Sequence, residues 1–194
     1  TRRIPEDIVM GHYKSNLRDV EFNLFELFER QNILGTGIFS EIDMDTAKSI
    51  LSEVERLATQ DLAASFVDAD RNPPVYDPAA KTVTMNPEFA KSYQAWMDAE
   101  WWRLQIPAEL GGQVAPSSLF WALGEFILGA NPPVWMYGSG AGFAQVVWDN
   151  GNERDQQIAR HMVDRRWGAT MVLTEPDAGS DVGAGRTKAT MNED

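Results

Sequence analysis

The residues best suited to chemistry lie in the segment Thr174–Asp181, which follows a short apolar run. A strand that ends in Thr and Pro and passes into a Gly-Ser turn presents two hydroxyls and several backbone N–H groups at one place. Such donors suit a polyoxygen ligand, for example a flavin carbonyl or a pyrophosphate. The same residues are also typical of an ordinary β-turn with local Asp and Ser hydrogen bonds. Judged from the residues alone, the β-turn is the commoner explanation.

Two glycine-rich segments resemble nucleotide-binding loops but lack the required pattern. Gly138–Phe143 begins like a dinucleotide fingerprint, yet Phe143 stands where a third glycine is needed, and no strand–helix–strand unit surrounds it. Gly183–Lys188 does not have Walker A spacing. We therefore expect Gly138–Phe143 to pack helices closely through its small residues.

The spacing of the potential metal ligands does not predict a metal site. Glu41, Asp43 and Asp45 alternate like a calcium loop but lack its glycine and its terminal Glu, so helix capping is the better explanation. The two histidines, His12 and His161, are far apart in the sequence. A cluster of three tryptophans belongs more often to a core or an interface than to a cofactor site. These tryptophans are Trp96, Trp101 and Trp102.

Composition narrows the class of protein. The 194 residues are 43% hydrophobic and 24% charged, which is typical of a globular chain. The net charge of −12 argues against a nucleic-acid partner, and the absence of cysteine excludes disulfides and thiol chemistry. No run approaches the ~20 apolar residues of a membrane span. Thr1–Asp7 lacks the apolar part of a signal peptide. We therefore expect a cytoplasmic protein without a membrane span.

Apolar periodicity predicts about six helices followed by a strand. The predicted helices are Leu17–Gln31, a helix from Asp43 or Asp45 to Ala58, Pro87–Leu104, Pro116–Leu128, Val134–Trp148, and a helix capped by Asn152 that includes Val163. Gly35 and Gly37 predict a turn, and Thr82–Met85 an extended piece. Ala169–Leu173 reads as a strand, and a lone strand leaves its backbone groups unpaired. We therefore expect further chain after Asp194 in the full-length protein.

Three segments in the correct order resemble the acyl-CoA dehydrogenase family. Met171–Asp181 is similar to the signature at the start of the family's middle β-domain. Ile106–Gly112 resembles its "PEEYGG" loop, with Leu110 where Tyr is usual. Asn150–Glu153 resembles the "GSE" turn before the helix that leads into the signature. The first hundred residues, including Asn86–Phe89, resemble the N-terminal extension of a large-subunit branch of the family.

The resemblance implies a truncated acyl-CoA dehydrogenase-like fold. This fold is an all-α N-terminal domain followed by the first strands of a β-barrel-like middle domain. Residues 1–85 would form the N-terminal extension and first helices, and residues 86–166 the helical N-terminal domain. Residues 167–194 would begin the middle β-domain.

The resemblance also implies FAD as cofactor and assigns roles to five residues. The backbone of Met171 and Leu173 and the hydroxyl of Thr174 would face the flavin ring. Gly179 would permit close backbone approach, and Ser180 would lie between the flavin pyrophosphate and the thioester arm of the substrate. Many members have an aromatic residue where Met171 stands, and a thioether fills that space differently.

The implied reaction is α,β-dehydrogenation of an acyl-CoA. A carboxylate base removes the α-proton while a hydride passes from Cβ to flavin, and the electrons go to an electron-transfer flavoprotein. The family's base lies in a C-terminal helical domain, so no catalytic residue is named in this chain, and the chain alone is expected to be inactive. The implied partners include the remainder of the same polypeptide and further copies, as a homodimer or homotetramer.

The motifs leave two alternative functions and the identity of the acyl group open. A non-catalytic helical interaction module with the same fold would retain the same motifs. An acyl-CoA oxidase, which passes electrons to oxygen, would retain them too. The acyl group can be a fatty acid of any length or a sulfur-containing acid.

Overall fold

The computed structural model describes residues 12–191, which form a mainly helical body with one small sheet. The α-helices of this part of the chain are α1 Leu17–Glu21, α2 Met44–Leu57, α3 Ala63–Arg71, α4 Pro87–Ala99, α5 Ser117–Ala130, α6 Pro132–Tyr137, α7 Gly140–Asn150 and α8 Glu153–Asp164. The sheet is an antiparallel hairpin of β1 Val75–Asp77 and β2 Thr82–Thr84, in which Tyr76 pairs with Val83. The predicted helical fold class is thereby confirmed, as is the extended piece at Thr82–Met85.

The first predicted helix, Leu17–Gln31, is interrupted. After α1 the chain continues as a π-helical turn over Phe22–Leu27, and the N–H of Phe28 donates to Asn23 O (2.9 Å). A π-turn bonds residues five apart, so it rotates the following side chains away from the α-helical stripe. The helical spacing of Val20, Leu24, Leu27 and Phe28 predicts that all four lie on one apolar face. Val20 and Leu24 are buried, but Leu27 and Phe28 are consequently exposed.

The turn after this helix and the start of α2 follow the sequence pattern. Gly35 and Gly37 have φ of +66° and +54°, the left-handed conformation that glycine adopts without strain. Asp43, rather than Asp45, caps α2, because its Oδ1 accepts the backbone N–H of Thr46 (2.8 Å). This hydrogen bond lowers the pKa of the Asp43 carboxyl.

The core lies where α2 and α5 pack against each other and against a second π-helical turn, Ala58–Leu62. Burial of each Leu or Ile side chain here contributes about 1.5–3 kcal/mol. Fully buried apolar residues of this region are Leu51, Val54, Leu62, Leu123, Phe126 and Ile127. Asn131 is buried among them, and its Nδ2 donates to Leu62 O (2.9 Å) and Ser65 Oγ (3.1 Å). The α5–α6 junction is thereby fixed to α3.

The predicted helix Pro87–Leu104 ends early. Its start is confirmed, with Pro87 at the first position, but α4 stops at Ala99 because Glu100 has φ of +58°. A 3-10 turn, Trp101–Gln105, follows. Residues six apart point to different sides of a continuous α-helix. The break therefore lets both Trp96 and Trp102 reach the core, where each is buried.

The predicted helix Val134–Trp148 divides into α6 and α7 at Gly138 and Ser139. A Cβ on Gly138 would lie 2.5 Å from Trp96 Nε1, so glycine is needed for this contact. The predicted packing role of the small residues is confirmed here. The helical run is therefore interrupted where the indole of Trp96 approaches it.

The strand predicted at Ala169–Leu173 does not form within residues 12–191. This segment has no ladder partner among the described residues, and Val172 within it is 90% exposed. An extended segment becomes a strand only when a neighbouring backbone supplies hydrogen bonds. The described part of the chain supplies none here.

Candidate functional site

The five predicted cofactor-binding residues lie in one exposed segment after α8. Met171 is 66% exposed and Leu173 is 47% exposed, although both are apolar. Thr174, Gly179 and Ser180 are exposed as well. The structure therefore presents two apolar side chains and two hydroxyls to solvent within ten residues of chain.

A carboxylate within this segment holds it in a closed loop. Glu175 Oε2 accepts the backbone N–H of Arg186 (2.7 Å), and Oε1 accepts that of Thr187 (2.9 Å). Glu175 and Ala178 also exchange two backbone hydrogen bonds of 3.1 Å each. Hydrogen bonds from the Arg186 N–H first, and then from the side chain and the N–H of Thr187, lower the pKa of Glu175. We name this loop of residues 175–187 the Glu175 loop. The hydrogen bonds that close it were not predicted, because no local sequence pattern links partners eleven and twelve residues apart.

The segment fits a flavin in its chemistry. Apolar side chains at positions 171 and 173 can pack on a ring, while hydroxyls and backbone N–H groups can donate to its carbonyls and to a pyrophosphate. A Cβ on Gly179 would meet no atom within 4 Å, so the described residues leave room for a ligand there.

An aromatic cavity of about 270 Å³ lies between α5, α6 and α7. Its aromatic walls are close together, with the Phe120 and Trp135 ring centres 5.4 Å apart and those of Trp121 and Trp135 6.0 Å apart. Gln105 and Ser139 are its polar side chains, and the Ser139 hydroxyl donates to a backbone carbonyl. Such a lining suits an apolar ligand.

The chain that leads to the exposed segment crosses the start of the helix that lines this cavity. A Cβ on Gly140 would lie 2.1 Å from Trp167 O, so the carbonyl touches the first residue of α7. Gly138 and Gly142, two residues to either side, line the cavity. The cavity and the beginning of the candidate site thus share one helix end.

An ion-pair network lies at the point where the chain leaves α8. Arg166 Nη1 is 2.7 Å from Asp98 Oδ1, and Nη2 is 3.2 Å from Glu100 Oε1. Arg103 Nε is 3.1 Å from Glu100 Oε2. Arg166 lowers the pKa of Asp98, while Arg103 first and then Arg166 lower that of Glu100. This network was not predicted from the sequence.

The loop that resembles "PEEYGG" is built by its glycines. Gly111 has φ of +75°, and its carbonyl accepts from Arg103 Nη1 (3.1 Å). The Gly112 N–H donates to Pro107 O (3.0 Å). Leu110, where the family usually has Tyr, is buried and fills the loop with an apolar side chain.

Two negative findings concern residues 12–191 alone. No cluster of three or more acidic or histidine side chains there could hold a metal ion. No helix of that part of the chain is long and apolar enough to span a bilayer.

Three proteins that are similar to the chain are each named as a dehydrogenase of an acyl-CoA. The broad-specificity linear acyl-CoA dehydrogenase FadE5 of Mycobacterium tuberculosis is 52% identical over 185 residues, 95% of this chain and 30% of that protein. The 3-methylmercaptopropionyl-CoA dehydrogenase of Ruegeria pomeroyi is 25% identical over 185 residues, with 94% and 31% covered. The butyryl-CoA dehydrogenase of Syntrophomonas wolfei is 27% identical over 192 residues, with 92% and 30% covered. No protein-family model matches the chain.

The chain therefore belongs to the acyl-CoA dehydrogenase family. It spans about 30% of the length of these relatives, and the matched region includes nearly all of its residues.

Proposed function

We propose that the chain is the N-terminal part of an FAD-dependent enzyme that introduces an α,β double bond into an acyl-CoA thioester. One observation carries the proposal. A segment with exposed apolar side chains and hydroxyls, Met171–Ser180, occurs in a chain that is 52% identical to a named acyl-CoA dehydrogenase.

Each residue of the segment is proposed to have one task. The backbone of Met171 and Leu173 lies along the flavin ring, and the Thr174 hydroxyl donates to a polar atom of that ring. Gly179 lets the ligand approach the backbone closely, and its surroundings are open, since a Cβ there would meet no atom within 4 Å. Ser180 donates to the pyrophosphate or to the thioester arm. Bound FAD would supply the acceptor for the hydride that leaves Cβ.

The remaining chemistry is proposed to involve parts of the enzyme outside this chain. A carboxylate base for the α-proton would come from the length of the relatives that the chain does not span. An electron-transfer flavoprotein would accept the electrons. Assembly as a homodimer or homotetramer stays a prediction. The contribution of the described residues is to orient cofactor and thioester with respect to each other.

The aromatic cavity is proposed to receive the acyl chain. Its lining is apolar, and it adjoins the helix end that Trp167 touches on its way to Met171. The name of the 52% identical relative specifies linear acyl-CoA substrates. A linear, unbranched acyl group is therefore the substrate class that we propose.

Anaerobic reduction of the full-length protein tests the proposal. The purified protein is mixed with linear acyl-CoA thioesters, and flavin absorbance and enoyl-CoA formation are followed together. Loss of oxidised flavin absorbance with stoichiometric enoyl-CoA is expected. A protein that purifies without flavin and binds none would instead be an interaction module, and peroxide formation in air at the rate of turnover would identify an oxidase.

A further inference from the structure

The end of α8 holds an arginine in a backbone conformation that favours glycine. Arg166 has φ of +53°; its N–H donates to Val163 O (3.2 Å), and the Trp167 N–H donates to Met162 O (2.8 Å). This pair of hydrogen bonds is the Schellman arrangement, in which glycine is preferred because a Cβ is strained in the left-handed region. The side chain of Arg166 must therefore offer something that glycine cannot.

The Arg166 guanidinium joins the ends of two helices that are distant in sequence. It pairs with Asp98 and Glu100 at 2.7 Å and 3.2 Å, across 68 and 66 residues of chain. Glu100 ends α4 and is itself left-handed, with φ of +58°. Two strained helix ends thus face each other across one ion-pair network, which Arg103 completes.

The backbone carbonyl of the residue after Arg166 is in close contact with α7, although the Trp167 side chain is 45% exposed. The carbonyl of Trp167 touches Gly140, as described above, so it has no freedom to shift toward α7. Residues 169–174 have no ladder partner among the described residues. The direction in which this segment leaves the helical body is therefore set at Arg166 and Trp167.

We propose that Arg166 is a positioning residue, which clamps the end of α8 to the end of α4 and thereby fixes the place of Met171–Ser180 on the helical body. The inference rests on the proposed FAD-binding function of that segment. Without the clamp the segment samples orientations that cannot bind the ligand, and the apparent affinity falls in proportion to the binding-competent fraction.

Arg166→Gly in the full-length protein separates positioning from stability. The substitution removes the ion pairs, but glycine also relieves the left-handed strain, which offsets their loss. The Tm should therefore stay the same or rise. FAD affinity, measured by flavin fluorescence on the reconstituted apoprotein, should nevertheless fall about tenfold. The visible circular dichroism of the remaining bound flavin should change. Arg166→Lys keeps the positive charge and should recover most of the affinity.

Arg154→Gln is the matched control. Arg154 is an exposed arginine of the same helix, paired with its neighbour Asp155, and its loss should leave FAD affinity and the flavin spectrum unchanged. FAD affinity of Arg166→Gly equal to that of the wild type would overturn the proposal. So would a loss of affinity that Arg166→Lys does not reduce.

Hydrogen exchange distinguishes failure of this inference from failure of the proposed function. Exchange of the peptides that cover residues 167–180, measured by mass spectrometry, requires no flavin. Faster exchange in Arg166→Gly than in the wild type is expected, and equal exchange overturns the clamp. If the wild-type protein binds no FAD, the proposed function fails, while the exchange experiment still decides whether the clamp exists.

Discussion

The hydroxyl of Thr174 is the side-chain donor on which the proposed flavin contact depends most directly. Thr174→Val keeps the shape and the β-branching but deletes the donor. A flavin acceptor left without its hydrogen bond could cost about 1–3 kcal/mol. We therefore expect weaker FAD retention and a rate of flavin reduction lower by about tenfold or more, with the fold intact.

Stopped-flow reduction of the full-length enzyme, with flavin content measured on the same samples, checks this prediction. Thr187→Val is the control, because Thr187 lies outside Met171–Ser180, the segment that is proposed to contact the flavin. Thr187 contributes its backbone N–H to the Glu175 loop, and this group survives the substitution. A Thr174→Val enzyme with full flavin content and the wild-type rate would show that the segment does not contact the flavin.

The aromatic cavity can be narrowed at one residue. Gly142 lines it, and a Cβ at this position would lie 3.3 Å from Gln105 Oε1, so Gly142→Leu places its larger side chain in the cavity. A misfit of one methylene in an apolar pocket is worth about 1–3 kcal/mol. We expect kcat/KM for long linear acyl-CoA to fall about tenfold or more relative to short ones. An unchanged chain-length profile would place the acyl chain elsewhere.

The carboxyl of Glu175 makes the Glu175 loop sensitive to acid. Its pKa is lowered in the folded chain, so its contribution is complete above the ordinary value of 4.5 and is lost as the pH falls through the depressed value. We expect the backbone amides of Arg186 and Thr187 to lose protection from hydrogen exchange as the pH falls below the depressed pKa of Glu175. In Glu175→Gln the protection should be weaker at neutral pH and nearly constant over the same range. If protection in the wild type does not change with pH, Glu175 does not accept these two hydrogen bonds in solution.

At the scale of elements, the loop Ile106–Gly112 depends on a close backbone approach. A Cβ on Gly112 would lie 1.9 Å from Ile106 O, and a backbone atom cannot move aside as a flexible side chain can. Gly112→Ala should therefore destabilise the full-length protein by about 1–3 kcal/mol, as overpacking does. Thermal unfolding measures the change.

Gly168→Ala is the matched control for this substitution. A Cβ on Gly168 would meet no atom within 4 Å, and the residue is not in the left-handed region. Its Tm should stay close to that of the wild type. Equal Tm values for both variants and the wild type would show that the loop does not have this conformation.

The apolar periodicity of the sequence predicted which segments are helical, but it did not predict where those helices are interrupted. The apolar spacing in Pro116–Leu128 predicts one buried face, and this face is confirmed, because its five side chains are buried in α5. They are Leu119, Phe120, Leu123, Phe126 and Ile127. The breaks at Glu100 and at Gly138 arise from the packing of Trp96 and Trp102, which belongs to tertiary structure. The residues next to a helix break do not indicate which side chain of another helix will pack against it.

The same distinction holds at the candidate site. The motif at Met171–Asp181 could be recognised because its residues are contiguous. The ion pairs of Arg166 connect residues 66 and 68 positions apart, so no spacing rule could predict them. The strand at Ala169–Leu173 was predicted from a short apolar run, but no described residue pairs with it.

At the scale of the whole molecule, the described residues form a helical body that is followed by the mostly exposed segment Met171–Ser180. The chain spans about 30% of the length of its relatives, so the ring that the segment is proposed to contact must be seen in the full-length protein. The roles proposed for Thr174, for the aromatic cavity and for Arg166 all depend on where that ring lies.

A structure of the full-length protein with FAD bound measures this placement directly. The distance from Thr174 Oγ1 to the nearest polar atom of the isoalloxazine ring is the decisive quantity. We predict a hydrogen bond of about 2.7–3.2 Å, with the backbone of Met171 and Leu173 along the ring. A ring bound elsewhere, with Met171–Thr174 out of contact, would contradict the account.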